Sequence, residues 1–441
     1  MRKPLTLMAV FAAISLPHTR AGDSPTYHRD VVPLLQRHCQ ECHRAEAVGP
    51  FELFTYEQAR KRAADLVTVT EQKTMPPWPA STTEGGPFRD ARRLTEAEIK
   101  LLSDWAAAGA PEGDPASAPA PRDFSADWPL GTPDLILKPS ELYEVAPTGR
   151  DEFRVFVIPS GLTEGKWIRA VDFKPGNPKV VHHILSAFDT TGRARKLDEA
   201  DPNPGYKVAN GFGLIPAGGL EGWAPGKRAH TYQPGVGRYL PAGSDVLIQI
   251  HYHPSGKVET DQTAIALYFA TEPIDKLVRP FIVRPPSTGL LRLRPNLVIP
   301  AGESNYASTG TFKVPYDAHI VAVLPHMHWL GKDFLLTATR PGEQEPTPLI
   351  QIDHWNFNWQ GVYDFVEPVA LPAGTVIHMQ AHFDNSDTNP ANPSHPPRTV
   401  RWGEQTTDEM CLGFLQVTRD DEHLSNQPPP RLRLKDVMGN D

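Results

Sequence analysis

Beyond residue 130, short hydrophobic segments alternate with turn residues along most of the chain. The clearest segments are β-rich and run from Phe153 to Ile158, Asp245 to Tyr252, Ala264 to Phe269 and Thr375 to Phe383. Runs of this length between turn residues predict the strands of β-sandwiches, and the 47 prolines and 33 glycines agree with many tight connections. No alternation of strands with helices, phosphate-binding loop or GxSxG turn occurs, which argues against the commonest nucleotide-binding and serine-hydrolase folds.

Before residue 114 the hydrophobic positions follow a helical spacing instead. One apolar face is shared by Val31, Val32, Leu34 and Leu35. An alanine-rich, charged stretch from Tyr56 to Gln72 predicts a second helix. A third helix is predicted to begin at the capping box Thr95-Glu96-Ala97-Glu98 and to end before Gly109. The N-terminal unit is therefore expected to be all-α.

The motif Cys39-Gln40-Glu41-Cys42-His43 matches the C-x-x-C-H pattern of covalent haem attachment, in which two thiols bond to the haem and the histidine ligates iron. A zinc site would need a second ligand pair and a redox dithiol a surrounding βαβ unit, and neither is present nearby. We therefore predict a c-type cytochrome. Between His43 and the end of this unit Met75 is the only methionine and no histidine competes, so Met75 is the predicted second axial ligand. The alternative is a methionine that fills the core.

The first residues have the composition of an export signal. Arg2 and Lys3 precede the apolar stretch Leu5 to Leu16, and Thr19-Arg20-Ala21 offers small residues at the positions that a signal peptidase reads. We expect cleavage after Ala21 and a periplasmic or secreted mature protein with no membrane span, because so short a stretch cannot cross a bilayer. The formal net charge of −8 argues against a nucleic-acid partner.

Three groups of histidines have the spacing of metal ligands: His182-His183, His251-Tyr252-His253 and His326-Met327-His328. Residues i and i+2 of a strand point to the same face, so His326 and His328 can hold one metal ion through neutral imidazoles. Adjacent residues point to opposite faces, so His182 and His183 can share a metal only at a strand end or a bulge. For any single pair, ordinary hydrogen-bonded histidines of a sheet are an equally good explanation.

The order and flanks of these motifs resemble the copper type II, ascorbate-dependent monooxygenases, the family of peptidylglycine hydroxylating monooxygenase and dopamine β-monooxygenase. The segments Val181–His183 and Ile250–His253 look like that family's three-histidine copper site. The segment Pro325–Lys332, with its HxHxxGK pattern, and Asp408-Glu409-Met410-Cys411 look like its second copper site. The resemblance spans roughly residues 130–420.

This resemblance implies two ligand sets. They are His182, His183 and His251 for an electron-storing copper, and His326, His328 and Met410 for a catalytic copper that activates dioxygen. Imidazoles suit both copper oxidation states, whereas a thioether favours Cu(I). His253 shares a strand face with His251 and is a candidate for orienting it. The positions that hold a substrate carboxylate in the peptide-processing member are Leu324 and Phe414 here, so a less polar substrate is expected.

With roughly 150 residues to a typical domain, the chain should hold about three folded units. We predict a multidomain chain with a signal peptide (1–21), a small all-α cytochrome c domain (25–113), a Pro-rich linker (114–129), two all-β, jelly-roll-like β-sandwich copper domains (130–278 and 279–425) and a tail (426–441). Cys411 is the one cysteine outside the haem motif, so no intramolecular disulfide framework is expected, and Cys411 should be a buried thiol.

The predicted function is that of an exported copper-dependent monooxygenase that hydroxylates a small organic substrate with dioxygen. Its expected cofactors are two copper ions and one covalently attached haem c. The haem would supply or relay electrons from an external reductant, either an ascorbate-like molecule or a redox protein. The sequence leaves open a non-catalytic periplasmic copper and haem protein that transfers electrons or binds copper.

Overall fold

The computed structural model describes residues 24–45, 47–124, 128–209, 211–225, 227–288 and 294–429. The predicted signal peptide, residues 1–21, and residues 430–441 of the predicted tail lie outside the described residues. In the described chain, a helical N-terminal region is followed by two β bodies, each made of two packed sheets. None of the described helices is both long and apolar enough to span a membrane.

Short helices build the N-terminal region. They are a π-helical turn (Tyr27–Val31), α1 (Val32–His38), α2 (Tyr56–Lys61), α3 (Ala63–Glu71) and α4 (Glu96–Ala107). The predicted apolar face of α1 is buried. The predicted capping box of α4 is present, because the Glu98 backbone donates to the Thr95 hydroxyl at 3.2 Å and the Thr95 backbone donates to the Glu98 carboxylate at 2.8 Å. The predicted helix Tyr56 to Gln72 is instead two helices, which meet at Arg62, where the guanidinium stacks on Phe51 at 4.4 Å.

The N-terminal region also contains a strand, so the prediction of an all-α unit is wrong for one segment. This strand, β1 (Ala80–Gly85), pairs antiparallel with a strand of the second β body, where Ala80 lies opposite Ile352. It covers a sheet edge that would otherwise leave backbone groups unpaired, and its own sequence has no apolar helical face. Phe88, just beyond it, packs on Phe365 with ring centres 5.0 Å apart. The helical region is therefore anchored to the second β body.

The described start of the predicted linker lies along α1. Pro115–Ser117 forms a 3₁₀ turn. The Gln36 amide donates to the carbonyl of Ala120 at 3.0 Å, and Arg122 donates to the carbonyl of Gln36 at 2.7 Å. These bonds hold residues 114–124 against the helical region before the chain enters the first β body.

The first β body consists of two packed sheets. Its elements are β2 (Leu135–Leu137), β3 (Tyr143–Val145), β4 (Glu152–Pro159), β5 (Lys166–Lys174), β6 (Val181–Asp189), α5 (Arg193–Ala200), β7 (Tyr206–Val208), β8 (Gly218–Trp223), β9 (His230–Thr231), β10 (Val236–Leu240), β11 (Asp245–Tyr252), β12 (Glu259–Asp261), β13 (Ala264–Phe269) and β14 (Lys276–Leu277). One sheet has the order β14-β10-β5-β13-β2, with β9 on β5, and the other has the order β7-β4-β11-β6-β8. The three strands predicted in this part of the chain are confirmed as β4, β11 and β13.

The second β body repeats this plan. Its strands are β15 (Arg279–Val283), β16 (Ser287–Thr288), β17 (Arg294–Pro295), β18 (Val298–Ile299), β19 (Tyr306–Lys313), β20 (Ala318–Met327), β21 (Gly331–Thr339), β22 (Thr347–Ile352), β23 (Tyr363–Leu371), β24 (Val376–Phe383), β25 (Val400–Arg401) and β26 (Cys411–Arg419). The sheet β1-β22-β21-β24-β19 packs on the sheet β15-β26-β20-β23. The strand predicted from Thr375 to Phe383 is confirmed as β24. Cys411 is a buried free thiol, as predicted, with its Sγ 3.9 Å from the Sδ of Met379.

Side chains that point away from the two cores meet at a seam between the bodies. Along β11, Ile248 and Ile250 face the core of the first body, so His251 faces the opposite way. Along β26, Leu415 faces the core of the second body, whereas the Gln416 amide donates across the seam to Glu221 at 3.3 Å. Residues on these outer faces therefore have a buried, partly polar environment without belonging to either core.

Replacing Phe88 by alanine should loosen the helical region from the second β body. The half-buried ring lies against Tyr363 and Phe365, and its loss should cost about 2 kcal/mol of docking. We expect faster tryptic cleavage near the interface, at Arg89 or Arg92. Val366→Ala, an exposed neighbour on β23, is the matched control. Equal cleavage rates in the two variants would contradict this docking role.

Candidate metal centres

Three histidines of the first β body point their Nδ1 atoms at one another. The Nδ1 separations are 3.2 Å between His182 and His251, 3.4 Å between His182 and His183, and 3.1 Å between His183 and His251. A point equidistant from the three nitrogens lies about 1.9 Å from each, close to the roughly 2.0 Å of a metal–imidazole bond. Within the described ranges, this is the one group of three histidine, cysteine or acidic side chains with metal-site spacing.

A β-bulge explains how two adjacent histidines reach one point. Between β6 and β11, His251 lies opposite His183, but Tyr252 lies opposite Val181, so His182 is an extra residue in the ladder. In a regular strand His182 and His183 would point to opposite faces, whereas the bulge turns both toward the same face. The sequence predicts that such a pair needs a bulge or a strand end, and the bulge is present.

His251 is oriented by two residues of the neighbouring β4 side of the sheet. The Asp151 carboxylate lies 3.0 Å from its Nε2, and the Phe153 ring stacks on it at 4.2 Å. Although burial alone would raise it, the ion pairs with His251 and His253 lower the pKa of Asp151 to about 2. A carboxylate beside one imidazole nitrogen directs the other nitrogen toward a metal. His253, predicted to orient His251, reaches Asp151 at 2.7 Å and so acts on the site through this carboxylate.

His326 and His328 form a second pair at the end of β20. They project from one face, with ring centres 5.2 Å apart. The Nδ1 of His326 donates to the side-chain oxygen of Gln360 at 2.5 Å, and the Nδ1 of His328 donates to the carbonyl of Asp408 at 3.1 Å. Each Nε2 therefore keeps its lone pair for a metal ion.

The strand register brings Met410 beside this pair. His326 lies opposite Leu412 in the antiparallel pairing of β20 and β26, and the same register continued by two residues sets Met410 opposite His328. The buried Glu409 carboxyl accepts the backbone N–H groups of His328 and Met410, the latter at 2.8 Å. Burial raises the pKa of Glu409 to about 8. Glu409 thus ties the two predicted ligand segments together.

The glycine of the HxHxxGK pattern has a packing role. A Cβ at Gly331 would lie 2.6 Å from the indole of Trp355, so a larger residue would displace that ring. The Trp355 indole N–H donates to the carbonyl of His328 at 2.9 Å, and its backbone N–H donates to the carbonyl of Lys332 at 2.9 Å. The segment that begins at Trp355 is therefore fastened directly to the second histidine pair.

Burial holds four of these imidazoles neutral: His182, His183, His326 and His328. Desolvation, with a smaller contribution from the charge of His251, lowers the pKa of His182 to about 3. Desolvation also lowers the pKa of His326 to about 4, and it holds the pKa values of His183 and His328 well below the usual range. Neutral imidazole is the form that binds metal ions.

The predicted haem residues lie in the turn that follows α1. His43 donates from Nδ1 to the carbonyl of Phe51 at 3.0 Å, which leaves Nε2 as a ligand atom. A Cβ at Gly49 would lie 2.5 Å from the carbonyl oxygen of Cys42, so the chain passes tightly over the motif. Burial raises the pKa of Cys39 to about 12 and also raises that of Cys42. Such thiols are unlike the acidic thiols of redox dithiols.

The predicted axial ligand Met75 lies in the loop between α3 and β1, and 41% of it is exposed. The same loop carries Trp78, whose ring meets Tyr363 of the second β body at 5.1 Å. On the other side of the haem motif, Glu41 forms an ion pair with Arg228 of the first β body. The haem motif therefore lies in a region that contacts both β bodies.

The sequence does not single out four residues that shape these sites: Asp151, Phe357, Gln360 and Glu409. Glu409 lies within the segment Asp408–Cys411 that resembles the second copper site, so the sequence could have indicated a role for it. Phe357 and Gln360 belong to an aromatic-rich loop, Trp355–Gln360, whose composition is unusual for a connection between strands. Asp151 has no local signal, because its histidine partners lie on a distant strand.

Residues 288–421 match the family model of the copper type II ascorbate-dependent monooxygenases, C-terminal domain. This part of the chain is thus similar to that domain, and it contains His326, His328 and Met410. The three-histidine site lies outside the matched residues.

Two curated relatives are the DBH-like monooxygenase protein 1 of Gallus gallus and that of Mus musculus, each 25% identical over 44% of this chain and 32% of the relative. The chain therefore spans about a third of their length. Among solved structures, the infectious bursal disease virus VP2 subviral particle aligns at 8% identity over 67% of this chain and 76% of that chain, with a TM-score of 0.18. At this TM-score the alignment gives no information about the fold or the function of the chain.

Changing Asp151 to asparagine should weaken metal binding at the three-histidine site about 10- to 100-fold, because it removes the charge beside His251. Binding at the His326 and His328 site should weaken far less. Asp333→Asn is the matched control, since Asp333 makes a similar contact with His382 at 2.6 Å away from both clusters. Competition with a chromophoric copper chelator measures both affinities. A control variant that loses as much affinity as Asp151→Asn would refute the positioning role.

Proposed function

We propose that this chain is an exported copper-dependent monooxygenase that hydroxylates a weakly polar organic substrate with dioxygen. The observation that carries the proposal is the pairing of two donor sets at one seam. His182, His183 and His251 converge through Nδ1 in the first β body. The second set lies in residues that match the C-terminal domain of a copper monooxygenase family.

The donor atoms fit copper in both sets. An all-imidazole site accommodates Cu(I) and Cu(II), whereas the thioether of Met410 favours Cu(I). Copper, when bound, supplies one-electron chemistry and the activation of dioxygen. The protein contributes pre-oriented imidazoles: Asp151 lies beside His251, and Gln360 directs His326. His251 and His328 are buried at the seam, which keeps bulk water away from these two imidazoles.

The proposed reaction converts R–H, dioxygen, two electrons and two protons into R–OH and water. The substrate C–H bond breaks, one oxygen atom forms the new C–O and O–H bonds, and the other leaves as water. Leu324 and Phe414 are direct cross-strand partners on the face of His326. Both are apolar and half-buried, which supports a substrate without a carboxylate at this end.

A covalent haem c at Cys39, Cys42 and His43, with Met75 as the second axial ligand, completes the proposal. The free Nε2 of His43 supports it. The contacts of the helical region also support a relay, because Arg92 lies over Trp359 at 5.1 Å and Trp78 meets Tyr363 at 5.1 Å. Both aromatic partners flank Gln360, which contacts His326. Electrons would enter from an ascorbate-like molecule or a redox protein in the periplasm or outside the cell.

The purified mature protein should contain one haem and two coppers per chain. Met410→Leu should lower the copper affinity of one site about tenfold, because it removes the thioether donor but keeps the side-chain volume. The copper content of that site should fall accordingly. Met379→Leu, a buried methionine of the second core, is the control and should retain both coppers. Elemental analysis with a pyridine haemochrome spectrum measures the content. Haem without copper would refute the oxygenase.

An oxygenase and a non-catalytic copper protein differ in one respect that can be measured: only the oxygenase forms a hydroxylated product. With ¹⁸O-labelled dioxygen, a reductant and a panel of weakly polar aromatic and aliphatic alcohols and hydrocarbons, the oxygenase should add one labelled oxygen atom to a substrate. The yield should fall at least tenfold in Met410→Leu. Two tightly bound coppers with dioxygen consumed but no labelled product across the panel would favour the non-catalytic electron-transfer protein.

A Cys39→Ser/Cys42→Ser variant should keep its copper but accept electrons from a protein donor at least tenfold more slowly, since a tethered donor acts at high local concentration. Stopped-flow mixing with reduced cytochrome c, followed by loss of the Cu(II) signal in electron paramagnetic resonance, measures this rate. Cys411→Ser is the matched control, because that thiol is buried in the second core. Undiminished copper reduction in the haem-free variant would exclude the relay.

A further inference from the structure

Phe357 lies between the two candidate copper sites. Its ring stacks on the imidazole of His182 with ring centres 4.9 Å apart and planes 24° apart. On its other side it meets the imidazole of His328 edge to face, at 5.8 Å and 79°. Trp329 adds a third contact at 4.6 Å, and the Phe357 side chain is buried. One ring therefore touches a predicted ligand of each site.

The backbone around Phe357 is fastened to the second site. The Gln360 amide donates to the carbonyl of Phe357 at 3.1 Å, and the oxygen of the same side chain accepts from His326. At the other end of the loop, the Trp355 indole donates to the carbonyl of His328. A displacement of Phe357 would therefore disturb both imidazoles of the second site.

The first site has a reason to change when metal binds. A neutral imidazole nitrogen either donates or accepts, so three Nδ1 atoms within 3.4 Å of one another cannot all be paired favourably. A metal ion removes this conflict by accepting all three lone pairs. The His182 ring is then fixed in the plane against which Phe357 stacks.

We propose that Phe357 is a positioning residue that couples the two sites, so that copper at the three-histidine site raises the affinity of the His326, His328 and Met410 site for copper. The inference rests on the proposed function only in requiring that both sites bind copper. Fixing His182 orders Phe357, and the ordered ring holds His328 for its own metal ion, so the second binding event loses less conformational entropy. Aromatic contacts of this kind give a coupling of about three- to tenfold in affinity.

Coupling of this size has a consequence for the proposed reaction. Each turnover needs two electrons for one dioxygen, and a chain with a single copper cannot deliver both from its copper sites. Positive coupling lowers the share of chains that carry one copper when copper is scarce. Phe357 would therefore favour chains that are either empty or fully loaded.

The test is an anaerobic Cu(I) titration against a chromophoric chelator, which reports binding rather than activity. The proteins are wild type, His183→Ala, Phe357→Leu and the double variant. His183→Ala disables the first site but leaves His182 stacked on Phe357. The second site should bind Cu(I) about three- to tenfold more weakly in His183→Ala than in wild type, and this difference should disappear in the Phe357→Leu background.

Two controls make the result specific. Phe281→Leu replaces a buried ring that packs on Phe312 in the second core. In this background, His183→Ala should still weaken Cu(I) binding at the second site as it does in wild type. Phe357→Tyr retains the ring and should also keep this effect. Equal second-site affinities in wild type and His183→Ala would overturn the coupling without use of any Phe357 variant. Absence of Cu(I) binding at both sites would instead overturn the proposed function.

Discussion

The convergence of three imidazole nitrogens within 3.4 Å is the constraint on which the arrangement of the sites depends. Neutral nitrogens so close together oppose one another, and burial prevents them from relaxing by taking up protons, as the low pKa of His182 indicates. Such a cluster persists only where its surroundings determine it strongly. Three features hold the cluster in place here: the bulge at His182, the carboxylate of Asp151 and the ring of Phe153.

The two sites lie outside the hydrophobic cores of the β bodies, because those cores are already filled by apolar side chains. Each β body fills its own core, so the predicted ligands occupy the outer sheet faces that meet at the seam. The loop that carries Phe357 fills the space between them. The helical region contacts this loop through Arg92 on Trp359 and adds β1 to the second body. Each of the three parts of the chain thus contributes to one buried seam.

The sequence predicts the features that depend on local periodicity. Strands β11 and β13 and the Thr95 capping box are confirmed, because alternation and helix caps are decided by neighbouring residues. Strand geometry also predicts that His182 and His183 can share a metal only at a bulge or a strand end. Asp151 and the pairing of β1 could not be predicted, since each depends on a partner far along the chain. The predicted helix is split at Arg62, whose guanidinium contacts Phe51, and no helical pattern encodes that contact.

The two donor sets differ in a way that bears on their proposed roles. The first set would bind through Nδ1, the nitrogen nearer the backbone, so its geometry is fixed by the strands themselves. The second set offers the more distant Nε2 atoms and the flexible thioether of Met410, which is tied to Glu409 only through its backbone. A rigid all-imidazole set suits electron storage with little rearrangement, whereas an adaptable set suits a copper ion whose ligands must change during dioxygen chemistry.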